Sequence, residues 1–147
     1  MFDIIIIGAG TAGISAYKEA VKYTKNLLII NDGPWDTTCA RVGCMPSTVL
    51  ISTANRMFDI QNAQEVALDV SAKINTNKVM QHVQTLRDRF TQATLKDVEQ
   101  WPAKHKISGK AHFIDAQTVE VNGKHYQSKS FILAVGSIPN YDQTWKQ

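Results

Sequence analysis

Phe2-Asp3-Ile4-Ile5-Ile6-Ile7-Gly8-Ala9-Gly10-Thr11-Ala12-Gly13, at the start of a 147-residue chain, decides the fold. Phe2 to Ile7 is a short apolar run rich in β-branched residues, which suits a strand covered on both faces in a parallel sheet. Gly8 ends that run. Thr11 to Thr24 is the predicted helix that follows, with Ile14, Tyr17 and Val21 at helical spacing, and Leu27 to Ile30 is a second buried strand. Strand, helix and strand within about thirty residues make a βαβ unit. The glycines stand where the first strand hands over to the helix. The first permits the tight turn, the second lets a pyrophosphate approach the backbone, and the third lets helix and strand pack closely. Amides and dipole at the helix start hold the anion. Gly8, Gly10, Thr11, Ala12 and Gly13 are therefore the expected dinucleotide-binding residues. An acidic residue is expected at the end of the second strand, where it binds a ribose hydroxyl. Asn31 stands there, with Asp32 next to it. Asn accepts a hydrogen bond, but without charge assistance.

Further along, Asn31 to Val42 reads as a loop, because Gly, Pro, Asp and Thr crowd it. Gly43 to Phe58 reads as a helix with Pro46 in its first turn, where a missing N–H costs nothing. Ala63 to Val70 has no clear pattern. Asn77 to Gln100 is a long amphipathic helix whose apolar stripe is Val79, Val83, Leu86, Phe90, Leu95 and Val98. Trp101-Pro102 ends it. Ile107 to Ile114, Thr118 to Val121 and Tyr126 to Ser128 then alternate apolar with polar residues, and Asn122-Gly123 is a hairpin turn. Phe131 to Val135 is another apolar strand, closed by Gly136. The expected architecture is α/β: a Rossmann-like domain over 1–139, with a parallel sheet, the long helix and a small antiparallel meander. Residues 140–147 form a loose polar tail.

Composition narrows the function classes. Hydrophobic residues make up 44% of the chain and charged residues 20%, which is ordinary for a soluble globular domain. The net charge of +3 comes from scattered Lys and Arg, so nucleic acid is not an expected partner. The apolar run Ile4 to Ile7 is far too short to span a membrane, and no secretory leader pattern is present. A cytoplasmic protein is the expectation.

Two cysteines in such a chain are poor candidates for an inert staple, because cytosolic thiols are kept reduced. They lie in Cys39-Ala40-Arg41-Val42-Gly43-Cys44-Met45-Pro46-Ser47. A small ring closes if the loop folds back, and Gly43 makes that fold easier. A thiol at a helix N-terminus has its thiolate stabilised by the dipole, which suits reversible exchange. Spacing alone leaves two other readings: half of a zinc site, or a pair of buried unreactive thiols. Zinc needs two more ligands, and His82, His105, His112 and His125 form no ligand pattern, so no metal is expected.

The glycine fingerprint, the segment Thr37 to Ser47 and the stretch Ile132-Leu133-Ala134-Val135-Gly136-Ser137-Ile138-Pro139 occur in the order found in the pyridine nucleotide-disulfide oxidoreductases. The chain resembles that family over nearly its whole length, and most closely its dihydrolipoyl dehydrogenase branch; mercuric and glutathione reductases are close by motif. The resemblance implies an FAD-binding domain with the pyrophosphate at Gly8 to Gly13, and adds Thr38, Ala134 and Gly136 to the cofactor residues. It implies that Cys39 and Cys44 are the catalytic redox pair. Cys39 exchanges with a dithiol or disulfide substrate such as dihydrolipoamide, and Cys44 faces the flavin. NAD accepts the electrons in the full-length, homodimeric enzyme.

Several positions depart from the family pattern. Thr48 stands where a Lys is common, Asp36 where a Gly is common, Val135 where a Thr is usual, and Asn31 in place of the ribose-binding acid. Together they imply weaker FAD retention than in a typical member. The resemblance also implies an NAD-binding domain and a domain carrying a His-Glu acid–base pair, neither of which is expected within residues 1–147. The expectation is a fragment or relic that does not complete turnover alone, with apolar surface left uncovered and prone to self-association. A flavin-poor nucleotide-binding module without catalysis is the alternative from another class, favoured by Asn31, Thr48 and Val135 and disfavoured by the intact cysteine pair.

Overall fold

The computed structural model describes residues 1–138 and 140–145. Pro139, at the end of the expected domain, and Lys146 and Gln147, at the end of the expected tail, lie outside the described residues. The chain forms two compact units, Met1–Pro34 with Trp101–Gln147, and Trp35–Gln100. The expected 1–139 domain spans both.

The first unit carries β1 (Phe2–Ile7), α1 (Thr11–Ala20), β2 (Leu27–Asn31), β3 (Lys106–Ser108), β4 (His112–Asp115), β5 (Thr118–Val121) and β6 (Lys124–Leu133). They make a six-stranded sheet in the order β3-β2-β1-β6-β5-β4. β1 runs parallel to β2 and β6, and β2 parallel to β3, while β5 runs antiparallel to β4 and β6. This is the expected Rossmann-like α/β architecture. The apolar runs behave as read: Ile5, Ile6 and all of Leu27 to Ile30 are buried. Each such side chain contributes about 1.5–3 kcal/mol of burial free energy. α1 buries Gly13, Ile14, Tyr17 and Ala20 along one stripe.

The strand order reverses beside β1, with β2 on one flank and β6 on the other. Gly8 N–H donates to the Ile30 carbonyl (2.7 Å), and Ala134 N–H donates to that of Ile7 (2.8 Å). Three strands therefore end together, and ligands of open α/β sheets bind at such a point.

Several boundaries in this unit differ from the sequence expectation. α1 ends at Ala20, not Thr24, because Lys22 and Tyr23 N–H groups bond carbonyls three residues back, at Glu19 and Ala20, and tighten the last turn. The expected strand Ile107 to Ile114 is two strands. Gly109, at φ +157°, breaks it, and a side chain there would strike Asn122. Tyr126 to Ser128 and Phe131 to Val135 are not separate strands but parts of β6, which pairs with β5 near its start and with β1 through Leu133. Ala134 and Val135 lie beyond its end. The turn at Asn122 (φ 53°) and Gly123 (φ 74°) is the expected two-residue hairpin, with positive φ at both positions.

His105 ties this unit together. Its ring lies between the Tyr17 hydroxyl (Nδ1, 2.9 Å) and the Lys25 carbonyl (Nε2, 3.2 Å), and Trp101 stacks on Tyr17 with centroids 3.8 Å apart. A carbonyl only accepts, so Nε2 carries the proton and Nδ1 accepts from Tyr17. Burial holds the His105 pKa below its ordinary 6.5, outweighing the bond to Lys25. The folded state thus resists protonation more than the unfolded chain does. The stabilising contribution is complete above pH 6.5 and falls as pH drops from there to the folded pKa. The expected slope is up to about 1.4 kcal/mol per pH unit. Urea midpoints measured between pH 7.5 and 5 should show this loss in the native chain, and a flatter profile in His105→Phe.

The second unit carries α2 (Thr38–Val42), α3 (Cys44–Gln61) and α4 (Thr76–Glu99). α2 corrects the reading of residues 31–42 as loop throughout. Thr37 starts the helix, accepting from Ala40 N–H (3.2 Å) through its hydroxyl. α4 buries Val83, Thr91 and Val98, with Val79, Leu86, Phe90 and Leu95 half-buried on the stripe. α3 has no buried residue, and Leu50, Ile51 and Phe58 are exposed on it. Residues Ala63–Val66, unassigned from sequence, form a single 3-10 turn. Among the described residues, no helix is long and apolar enough to cross a membrane.

Candidate functional site

The glycine loop is built as the fingerprint requires. Gly8 sits at φ +101°, and a Cβ there would lie 2.3 Å from the Ala134 carbonyl oxygen. A Cβ on Gly13 would lie 1.8 Å from the Gly8 carbonyl oxygen. The loop, the start of α1 and the segment after β6 thus close on one another without room for a methyl group. Gly10 is different. Nothing stands within 4 Å of where its Cβ would be. α1 has no side-chain cap, and its first backbone bond runs from Ile14 N–H to the Gly10 carbonyl (2.9 Å). The Thr11, Ala12 and Gly13 amides precede the first possible intrahelical acceptor, so they face outward from the helix start. An open cradle over Gly10 beside these amides fits a pyrophosphate, which needs several donors and close backbone approach.

Gly8, Gly10, Thr11, Ala12, Gly13, Asn31, Asp32, Ala134 and Gly136 all belong to the first unit. The first five form the loop and helix start, and Ala134 lies directly against it. Asp32 is exposed next to Asn31, and Gly136, at φ +71°, is open on its Cβ side. Thr38 is exposed at the start of α2 in the second unit.

Both cysteines are in the second unit, reduced, with Cys39 half-buried in α2 and Cys44 exposed as the first residue of α3. Gly43 is the single residue between the helices. A Cβ there would lie 3.2 Å from the Thr38 carbonyl oxygen and 3.3 Å from Cys39 Cα. Its missing side chain is what lets the two thiol-bearing turns close on each other. Hydrogen bonding to Cys44 is the main cause of a raised Cys39 pKa, with burial second. The neighbouring thiol and burial thus both disfavour the Cys39 thiolate. The hydroxyls of Ser47 (3.0 Å) and Thr48 (2.7 Å) donate to the Cys44 carbonyl and fix the head of α3. Thr48, in place of a family Lys, is thus used locally.

Three features had weak or no sequence signal. Arg41, inside the cysteine motif, donates from Nε to the Asp36 carboxylate (3.1 Å), and Asp36 is buried. An acid and a base five positions apart across a short helix are the signal that could have found it. Thr37 takes φ +62°, a conformation costly for a β-branched residue, directly before the helix bearing Cys39. Asn31 spends its side chain within the protein, as described below. The histidines supply no ligand set: His105 is buried in its network, and His82, His112 and His125 are exposed. Among the described residues no cluster of His, Cys, Asp and Glu could hold a metal ion.

The family model described as pyridine nucleotide-disulphide oxidoreductase matches residues 2–143. A dihydrolipoyl dehydrogenase of Mycoplasma pneumoniae is 30% identical over 142 residues, covering 95% of this chain and 31% of that protein. A mercuric reductase of Lysinibacillus sphaericus is 29% identical over 143 residues, covering 97% of this chain and 26% of that protein. The HOCl-induced flavoprotein disulfide reductase RclA of Escherichia coli shares the fold, with a TM-score of 0.73 at 17% identity over 97% of this chain and 30% of RclA. The chain therefore spans less than a third of the length of these relatives. With the family match running from the first strand past the last, the chain belongs to the pyridine nucleotide-disulphide oxidoreductases.

Proposed function

We propose that the chain is the FAD-binding and redox-disulfide portion of a dihydrolipoyl dehydrogenase-like flavoprotein. The observation that carries this reading is the approach of the Cys39 and Cys44 turns across Gly43, in a chain that also has an open glycine loop at the head of α1. The chemistry follows from the thiols. A substrate dithiol attacks the Cys39–Cys44 disulfide at the Cys39 sulfur, giving a mixed disulfide and releasing the Cys44 thiolate. The second substrate thiol then closes the substrate disulfide and frees Cys39. The substrate loses two electrons and the pair gains two. FAD, when bound, supplies the two-electron acceptor for the pair. Gly10 and the first amides of α1 would hold its pyrophosphate, while the close packing of Gly8, Gly13 and Ala134 shapes that loop. Thr38, Gly136, Asn31 and Asp32 complete the set assigned by resemblance. In a longer, homodimeric and cytoplasmic protein, NAD would be the onward electron acceptor. The reach of the matched relatives beyond this chain's span supports assigning that step outside residues 1–147.

Asn31 favours a second reading, a flavin-poor nucleotide-binding module, because its side chain already has protein partners. One experiment separates the two. The purified chain is titrated with FAD and then with a dithiol, following flavin absorption. The redox reading expects saturable FAD binding and a long-wavelength charge-transfer band after dithiol addition. Saturable binding of adenine nucleotides with neither flavin binding nor the band would establish the module instead.

A further inference from the structure

Asn31 stands at the end of β2, where an acid is expected to face a ribose, yet its carboxamide is turned on the protein. Oδ1 accepts from the Ala9 N–H (2.9 Å), in the middle of the glycine loop. Nδ2 donates to the Gly33 carbonyl (2.9 Å) and the Pro34 carbonyl (3.1 Å). Carbonyls only accept, so these two contacts fix which end of the carboxamide is nitrogen and leave it no free proton. The side chain therefore binds three segments at once: the end of β2, the phosphate-binding loop, and the turn at 33–34. We propose that Asn31 is a positioning residue that latches the glycine loop to the turn after β2, rather than a ligand of the ribose. This deepens the flavin-binding reading and rests on it for its effect on FAD. A neutral carboxamide does here what a carboxylate cannot. An acid at position 31 accepts from Ala9 but has nothing to donate, and sets negative oxygens against two carbonyls.

That contrast gives the test its sign. A ribose ligand improves when Asn becomes Asp, because the charged acceptor binds hydroxyls better. A latch fails. FAD affinity is measured by flavin fluorescence quenching for the 147-residue chain, N31D and N31A. Hydrogen exchange at the Ala9 amide is measured on each without ligand, and urea midpoints confirm that the variants are folded. Both variants should bind FAD about tenfold or more weakly, from the loss of two to three hydrogen bonds. Ala9 should exchange at least about tenfold faster in N31A with the fold retained. FAD affinity in N31D equal to or tighter than in the native chain overturns the latch, as does unchanged Ala9 exchange in N31A. A native chain that binds no FAD overturns the proposed function instead, and Ala9 exchange then decides the latch alone.

Discussion

One methyl group at position 13 is expected to unfold the glycine loop and abolish flavin binding. In Gly13→Ala the new carbon would sit 1.8 Å from the Gly8 carbonyl oxygen and 2.8 Å from its carbon. Both are backbone atoms, so no rotamer change relieves the clash. Gly8 has no room to retreat, since it is held to Ile30 by its own N–H and lies against Ala134. Helix α1 must lift from β1, exposing part of a core in which Ile5, Ile6, Ile14 and Tyr17 are buried. A stability loss of about 3 kcal/mol or more is expected, at the upper end for overpacking. The control is Gly10→Ala. Its Cβ meets nothing in the protein, so the urea midpoint should hold within about 0.5 kcal/mol. Its FAD affinity should still fall at least about tenfold, because the methyl group occupies the open cradle. Midpoints and flavin titrations on both variants separate the glycine that packs from the glycine that admits ligand. A stable Gly13→Ala would refute this account of the loop, and undiminished FAD binding by Gly10→Ala would place the pyrophosphate elsewhere.

That contrast shows where sequence reading works. The βαβ unit was legible because Ile4 to Ile7 and Leu27 to Ile30 satisfy only a doubly covered strand, and the glycine spacing between them satisfies only a tight strand-to-helix turn. The stripe of α4 and the Asn122-Gly123 turn were legible for the same reason, since period and turn chemistry are local. Pairing partners are not local. Nothing between Tyr126 and Val135 marks that β6 changes partner along its length, from β5 to β1. Gly109, at φ +157°, lies between β3 and β4 against the side chain of Asn122, a neighbour that comes from another turn. The site divides similarly. The spacing of Cys39, Gly43 and Cys44 singles out a close thiol pair, but leaves redox, zinc and inert readings side by side. Asn31 was assigned from its position at the end of a strand, but its partners Ala9, Gly33 and Pro34 follow from the curl of the chain after β2, which composition does not encode. The Asp36 carboxylate, a departure from the family glycine, is satisfied by Arg41.

The two cysteines should behave unequally when each is removed. Cys44→Ala deletes the group whose hydrogen bond is the main cause of the raised Cys39 pKa. The pH midpoint for alkylation of Cys39 should therefore fall toward the ordinary 9.0, with burial still raising it and the Cys44 and Met45 backbone N–H groups still lowering it. A midpoint that stays or rises would mean that the Cys44 side chain is not what raises the Cys39 pKa. Cys39→Ser has the opposite consequence for the flavin. The Cys44 thiol can no longer be locked in a disulfide, so a charge-transfer band with bound FAD should be present without any reductant. Cys44→Ala should never show that band. Electron transfer from a dithiol to FAD should drop by about a thousandfold or more in either variant, because the covalent route through the pair is gone and only direct reduction remains. Stopped-flow flavin reduction measures this directly. Retention of the dithiol rate in Cys39→Ser would show that Cys44 alone carries the exchange. The exposure of Cys44 beside a half-buried Cys39 makes that outcome a real competitor. The rates of the two variants therefore decide which thiol meets the substrate, and the band decides which one meets the flavin.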